Sequence, residues 1–143
     1  MTPVVVVDAS VALKWFFRSR GDEPDVDRAL ALLKDIDAAR LRMVEPIHFI
    51  AEVAAVLARE KPRQARDDVL DLLDIERDTV DTPGVYVSAL DLAIRCGCHA
   101  FDTLYHAVAL QSEGATLVTA DRRYYEKTRT AGQITLLAHW ERA

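Results

Sequence analysis

Val4-Val5-Val6-Val7-Asp8-Ala9-Ser10-Val11-Ala12-Leu13 decides how this chain folds. Four consecutive β-branched residues predict a short strand buried on both faces, since a half-exposed strand would alternate apolar and polar positions. The run closes on an acid, and residues 9–17 continue with helical character. A buried strand passing through a polar turn into a helix opens a βα unit, from which parallel sheets are assembled. The same order recurs at Ala115-Thr116-Leu117-Val118-Thr119-Ala120-Asp121, where an apolar run again meets an aspartate ahead of a helical segment.

Working outward, Gly21 and Pro24 mark a loop, and Val26, Ala29, Leu30, Leu33 and Ile36 then share one helix face. Residues 41–44 predict a second strand, stopped by Glu45-Pro46, with Pro46 in the first turn of the following helix. Pro62 breaks that helix, residues 63–80 predict another, and Asp81-Thr82-Pro83-Gly84 is a turn. A third strand is expected over 85–87, with Ser88 capping a helix that ends at Gly97. A helix over 102–113, a strand over 116–119, a helix over 122–128 and a strand over 134–137 follow. The expectation is one α/β domain over 1–143, with a mostly parallel sheet and helices on both faces. Side chains that do chemistry in such sheets gather beyond the carboxyl ends of the strands.

Half of the 143 residues are apolar, and 23 acids against 18 bases leave a formal charge of −5. That balance argues against a protein that simply coats nucleic acid. It leaves room for a nucleic-acid enzyme, because bound cations reverse the charge of an acidic pocket. Basic residues do cluster directly after Asp121, as Arg122, Arg123, Lys127 and Arg129. No run approaches the roughly 20 apolar residues of a membrane helix, and the N-terminal residues lack a basic segment and cleavage site. A cytoplasmic protein with no membrane association is expected. Cys96 and Cys98 are too few for a four-thiolate zinc site and are expected as half-buried thiols.

Four acids stand in contexts that hide or cap them. Asp8, Asp102 and Asp121 each precede a helical segment, where aspartate is a preferred cap worth about 1 kcal/mol. Glu52 lies within Ile47-His48-Phe49-Ile50-Ala51-Glu52-Val53-Ala54-Ala55-Val56-Leu57, almost free of other charge, so it needs a cation, a partner or a raised pKa. Capping and metal ligation are compatible, because the helix dipole keeps such a carboxylate ionised. If the fold joins all four, they form an oxygen-only site for a hard divalent metal. His48 and His106 lie four residues from Glu52 and Asp102, but neither makes an HExxH motif, and both are expected as structural or partner-facing. Trp15, Phe16 and Phe17 are expected in the core or an interface.

Val5-Val6-Val7-Asp8-Ala9-Ser10, Glu52-Val53-Ala54-Ala55-Val56-Leu57, Phe101-Asp102-Thr103-Leu104-Tyr105 and Thr119-Ala120-Asp121-Arg122-Arg123 resemble PIN-domain ribonucleases. More closely, the chain resembles VapC toxins of type II toxin–antitoxin systems, in length, order and spacing. The resemblance implies a three-layer α/β/α sandwich around a five-stranded sheet. It implies Mg²⁺ or Mn²⁺ held by Asp8, Glu52, Asp102 and Asp121, with Ser10 and Thr119 as supporting hydroxyls. The implied activity is metal-dependent endoribonuclease cleavage, leaving a 5′-phosphate and a 3′-hydroxyl. Arg122 and Arg123 are candidates for steadying flanking RNA phosphates. Implied partners are RNA, a VapB-like antitoxin whose arm enters the acidic groove, and a second copy in a homodimer and higher toxin–antitoxin complex. Three positions depart from the pattern: Ala55 where many relatives carry asparagine, Thr103 for the commoner alanine, and Cys98 for another small residue. Two other classes remain, a catalytically inactive PIN-like binding module and an aspartyl phosphotransfer enzyme. The latter normally needs a second acid two residues beyond Asp8, where Ser10 stands.

Overall fold

Val5, Val6 and Val7 are buried in the computed structural model, which describes residues 2–142, and they form the central strand β1 (Val4–Val7). Met1 and Ala143, the ends of the span expected as one domain, lie outside the described residues. Strands β2 (Arg42–Glu45), β3 (Asp78–Thr79), β4 (Ala115–Thr119) and β5 (Ile134–Leu136) complete a five-stranded sheet in the order β3-β2-β1-β4-β5. Every pairing is parallel, with Val4↔Arg42 and Val5↔Met43 on one side of β1 and Val4↔Ala115 through Val7↔Val118 on the other.

Parallel neighbours need crossover connections, and these are almost always right-handed. The chain moves outward from β1 to β2 through α1 (Ala9–Phe16) and α2 (Val26–Asp37), then to β3 through α3 (Phe49–Glu60) and α4 (Ala65–Leu73). It then crosses to the far side of β1 through α5 (Pro83–Cys96) and α6 (Ala100–Leu110), reaching β4, and passes through α7 (Arg122–Thr128) to β5. Reversing direction switches the crossovers to the other face, which makes the α/β/α sandwich. The reversal also leaves a crevice between the carboxyl ends of β1 and β4. Trp15 and Phe17 are buried in the core, and the Trp15 indole donates to the Ala29 carbonyl at 2.8 Å.

Several elements differ from expectation. The third strand is Asp78–Thr79, while 85–87 lies inside α5. Val85, Ala89 and Leu92 are its buried residues, a helical spacing that overrides the strand propensity of Val-Tyr-Val. Thr82, not Ser88, is the N-cap, and Pro83 occupies the first turn. The helix expected over 63–80 stops at Leu73, because β3 must pair with β2. Two exposed residues carry no period-2 pattern, so this edge strand left no signal. Pro46 precedes α3 rather than opening it. Gly97 ends α5 in the left-handed region at φ 66°, as its position suggested.

Candidate active site

Asp8 follows β1 as the N-cap of α1, its carboxylate accepting from the Ser10 amide at 3.0 Å and the Ser10 hydroxyl at 2.5 Å. The Ser10 oxygen in turn accepts from the Ala120 amide at 3.1 Å, and the Asp8 amide donates to the Val118 carbonyl at 3.0 Å. One serine thus ties the end of β1 to the end of β4. Across the crevice, Asp121 caps α7 by accepting from the Tyr124 amide at 3.0 Å. Its own amide donates to the hydroxyl of buried Thr119 at 3.1 Å.

Asp102 is not a cap: α6 begins at Ala100, and the His99 side chain takes the cap by accepting from the Phe101 amide. Asp102 sits in the first turn, on the same side of the sheet ends. Glu52 is likewise in the first turn of α3, and it is less buried than its apolar flanks suggested, with the partner they called for. Its side chain is 31 % exposed, and the Tyr105 hydroxyl donates to it at 2.6 Å. His48 Nε2 lies 3.7 Å from the same oxygen but bonds the Phe101 carbonyl at 2.7 Å, linking the starts of α3 and α6.

The four acids feel one another. Desolvation pushes the Asp8 carboxyl up to about 6 against its Ser10 hydrogen bonds, and the charges of Asp102 and Glu52 add to the rise. Asp102 is raised by desolvation and then by Glu52 and Asp121, with His99 and His48 opposing. Asp8 and Asp102 thus each lie within reach of other acids' charge, although no cage of three or more ligating side chains exists among the described residues. Asp8, Glu52 and Asp121 each commit one carboxylate oxygen to the protein, leaving the second oxygen without a hydrogen bond among the described residues. An all-oxygen, self-repelling donor set with spare oxygens fits a hard divalent cation that retains several waters.

Two contributors lie outside the expected set. Tyr105 is one, and a tyrosine one helical turn beyond Asp102 was the available signal. Glu45 is the other: it is buried at the end of β2, accepts from the Val7 amide at 2.8 Å, and leaves Oε1 without a partner among the described residues. Burial holds its carboxyl well above the usual range, with Asp8 adding to the rise. Like Asp8, it ends an apolar strand. His106 does not approach Asp102 as a partner. Its Nε2 bonds the Gly132 carbonyl at 2.7 Å and its Nδ1 faces the Tyr124 hydroxyl at 3.0 Å. Cys96 and Cys98 are free, half-buried thiols. Arg122 and Arg123 are both exposed on α7, but only Arg123 lines a cavity shared with Asp102 and Asp121.

A parallel α/β/α sandwich with Asp8 and Asp121 beyond the ends of β1 and β4, where its strand order reverses, defines a class of acid-bearing α/β proteins. The chain belongs to the PIN-domain family, whose model matches residues 5–129. PIN domains are in general nucleases, and such nucleases typically use divalent metals. The fold is similar to that of PAE2754 from Pyrobaculum aerophilum, with a TM-score of 0.65 at 20% identity over 96% of this chain and 92% of that one. It is also similar to the crystal structure of VapBC2 from Rickettsia felis bound to a DNA fragment from their promoter. There the TM-score is 0.63 at 16% identity, covering 93% of this chain and 96% of that one. No curated protein matches the sequence. No helix among the described residues is long and apolar enough to cross a membrane.

Proposed function

We propose that this chain is a single PIN domain over 1–143 acting as the toxin of a type II toxin–antitoxin pair, a metal-dependent endoribonuclease restrained by a VapB-like antitoxin. What supports the reading is the charge coupling of Asp8 to Asp102 and Glu52, and of Asp102 to Glu52 and Asp121, where the strand order reverses between β1 and β4 in a chain of the PIN family. The likeness to VapBC2 supports the toxin–antitoxin part.

Asp8, Glu52, Asp102 and Asp121 would hold Mg²⁺ or Mn²⁺. When bound, the cation supplies Lewis-acid polarisation of the phosphate and acidifies a water. The protein's own part is positioning. Ser10 and Thr119 fix the two strand-end aspartates, and Tyr105 holds Glu52. Glu52 or Asp102 orients the attacking water and accepts its proton. In-line attack then leaves a 5′-phosphate and a 3′-hydroxyl. A basic side chain on the antitoxin arm complements the same acids, and a homodimer within a larger complex is the proposed assembly.

Antitoxin-free protein incubated with total cellular RNA and Mg²⁺ or Mn²⁺ tests this. Discrete cuts are expected, abolished by EDTA and absent in a folded Asp8→Asn variant. Cutting that persists in Asp8→Asn would remove Asp8 from the assignment. Folded, metal-supplied protein that cuts nothing would favour a PIN-like module that only binds.

A further inference from the structure

Beside the acids, the turn between α5 and α6 and the side of α7 enclose a cavity of about 200 Å³. Cys98 and His99 of the turn, Asp102 and Asp121 of the acidic set, and Arg123 and Lys127 of α7 line it. Arg123 and Lys127 are four residues apart and so share a helix face. Neither makes an ion pair or side-chain hydrogen bond among the described residues, although the chain carries many more acids than this pair could answer. His99 accepts from the Phe101 amide through Nδ1, which leaves its proton on Nε2 as a further donor. Burial pushes the Cys98 thiol up, so it adds no negative charge.

We infer that this cavity is a subsite for a phosphodiester of single-stranded RNA, the one next to the bond being cut, held by Arg123 and Lys127 with His99 at the rim. The inference rests on the nuclease reading and extends it. An acidic peptide would answer Arg123 and Lys127 but has no scissile phosphodiester for the adjoining acids. A basic side chain of an antitoxin arm answers Asp102 and Asp121 but is repelled by Arg123 and Lys127. A nucleic-acid strand suits both halves, since one phosphate meets the cation-loaded acids while its neighbour meets the two bare cations. The assignment also separates the two arginines: Arg123 belongs to the subsite, and Arg122 does not line it.

The test measures binding of a fluorescent single-stranded RNA pool in Mg²⁺, in the Asp8→Asn background so that the probe survives. Arg123→Ala/Lys127→Ala is compared with Arg66→Ala, an exposed charge on α4 remote in sequence from both walls. The double variant is expected to bind about tenfold more weakly, and its slope of log affinity against log salt should fall by about 0.7 for each phosphate no longer neutralised. Arg66→Ala should match the parent, and Arg123→Lys/Lys127→Arg should restore both readings. Melting temperatures verify folding. Equal affinity and slope in the double variant would overturn the subsite, while cleavage by the otherwise wild-type chain would leave the nuclease reading standing. If the parent binds RNA with no salt dependence, the subsite is overturned as well. If inorganic phosphate competes with an acidic peptide but not with RNA at the site, the ligand class is wrong.

Discussion

Asp8 stands where ionisation is costly, with its carboxyl pushed up to about 6 mainly by desolvation. Between the ordinary carboxylate range and about 6 the folded chain therefore holds a proton that the unfolded chain has released. Stability from this group is present below that window and is lost as pH rises through it. In EDTA, Asp8→Asn should thus gain stability over wild type on going from pH 4 to pH 7.5. The gain is on the order of 2 kcal/mol after allowing for solvent screening of a partly exposed group. Urea denaturation at both pH values checks this, and a difference independent of pH would refute it. Glu45 has a different task. The β1–β2 register runs through Val5↔Met43, and beyond it the Glu45 carboxyl supplies the acceptor for the Val7 amide, one residue before Asp8. Glu45→Gln keeps an acceptor there and should cost little. Glu45→Ala strands a buried N–H and should lose about 2 kcal/mol or more, measured by the same titration. Of the candidate residues, the four acids stand out in the sequence because each borders or interrupts an apolar segment. Tyr105 was not, since a tyrosine among apolar helix residues reads as core until a carboxylate is found opposite its hydroxyl.

Helix α7 is short, and what orients it lies outside it. His106 on α6 bridges the Tyr124 hydroxyl and the Gly132 carbonyl, which lies ahead of β5. Because Nε2 donates to a carbonyl, Nδ1 is the acceptor for the tyrosine, and burial depresses the His106 pKa so that the ring stays neutral. His106→Leu keeps the volume but leaves both partners unsatisfied, and should cost about 1–3 kcal/mol. Hydrogen exchange should show faster opening of α7 and β5 than of β1; uniform protection would argue against a local bridge. Elements were readable where local pattern and burial agree. α1, α2 and α6 carry apolar faces at helical spacing, and β1 and β4 are runs rich in branched residues. β3 is two exposed residues whose strand identity comes entirely from pairing with Val44 and Glu45. Val85-Tyr86-Val87 has strand-like chemistry, yet Val85 is buried with Ala89 and Leu92 one and two turns on.

Across the whole molecule, the reversal of strand order at β1 turns four acids distant in sequence into one electrostatic unit. Repulsion among them is a cost that a bound divalent cation would offset, so adding Mg²⁺ or Mn²⁺ should raise the melting temperature by several degrees at saturating concentration. Asp8→Asn should show a much smaller shift, and an equal shift in both proteins would place the cation elsewhere. By itself the sequence determined the class of fold and the order of most elements, and it singled out the four acids as candidates. Apolar periodicity and charge interruption are local properties, readable within a few residues of each position. Tertiary structure alone decided which of these acids feel one another's charge and that Glu52 is held by Tyr105 rather than buried. It also decided that Glu45 feeds β1, and that Arg123, not Arg122, lines the cavity beside Asp102 and Asp121. Those facts depend on distances between residues far apart in the chain, which are set by the crossovers and the sheet register.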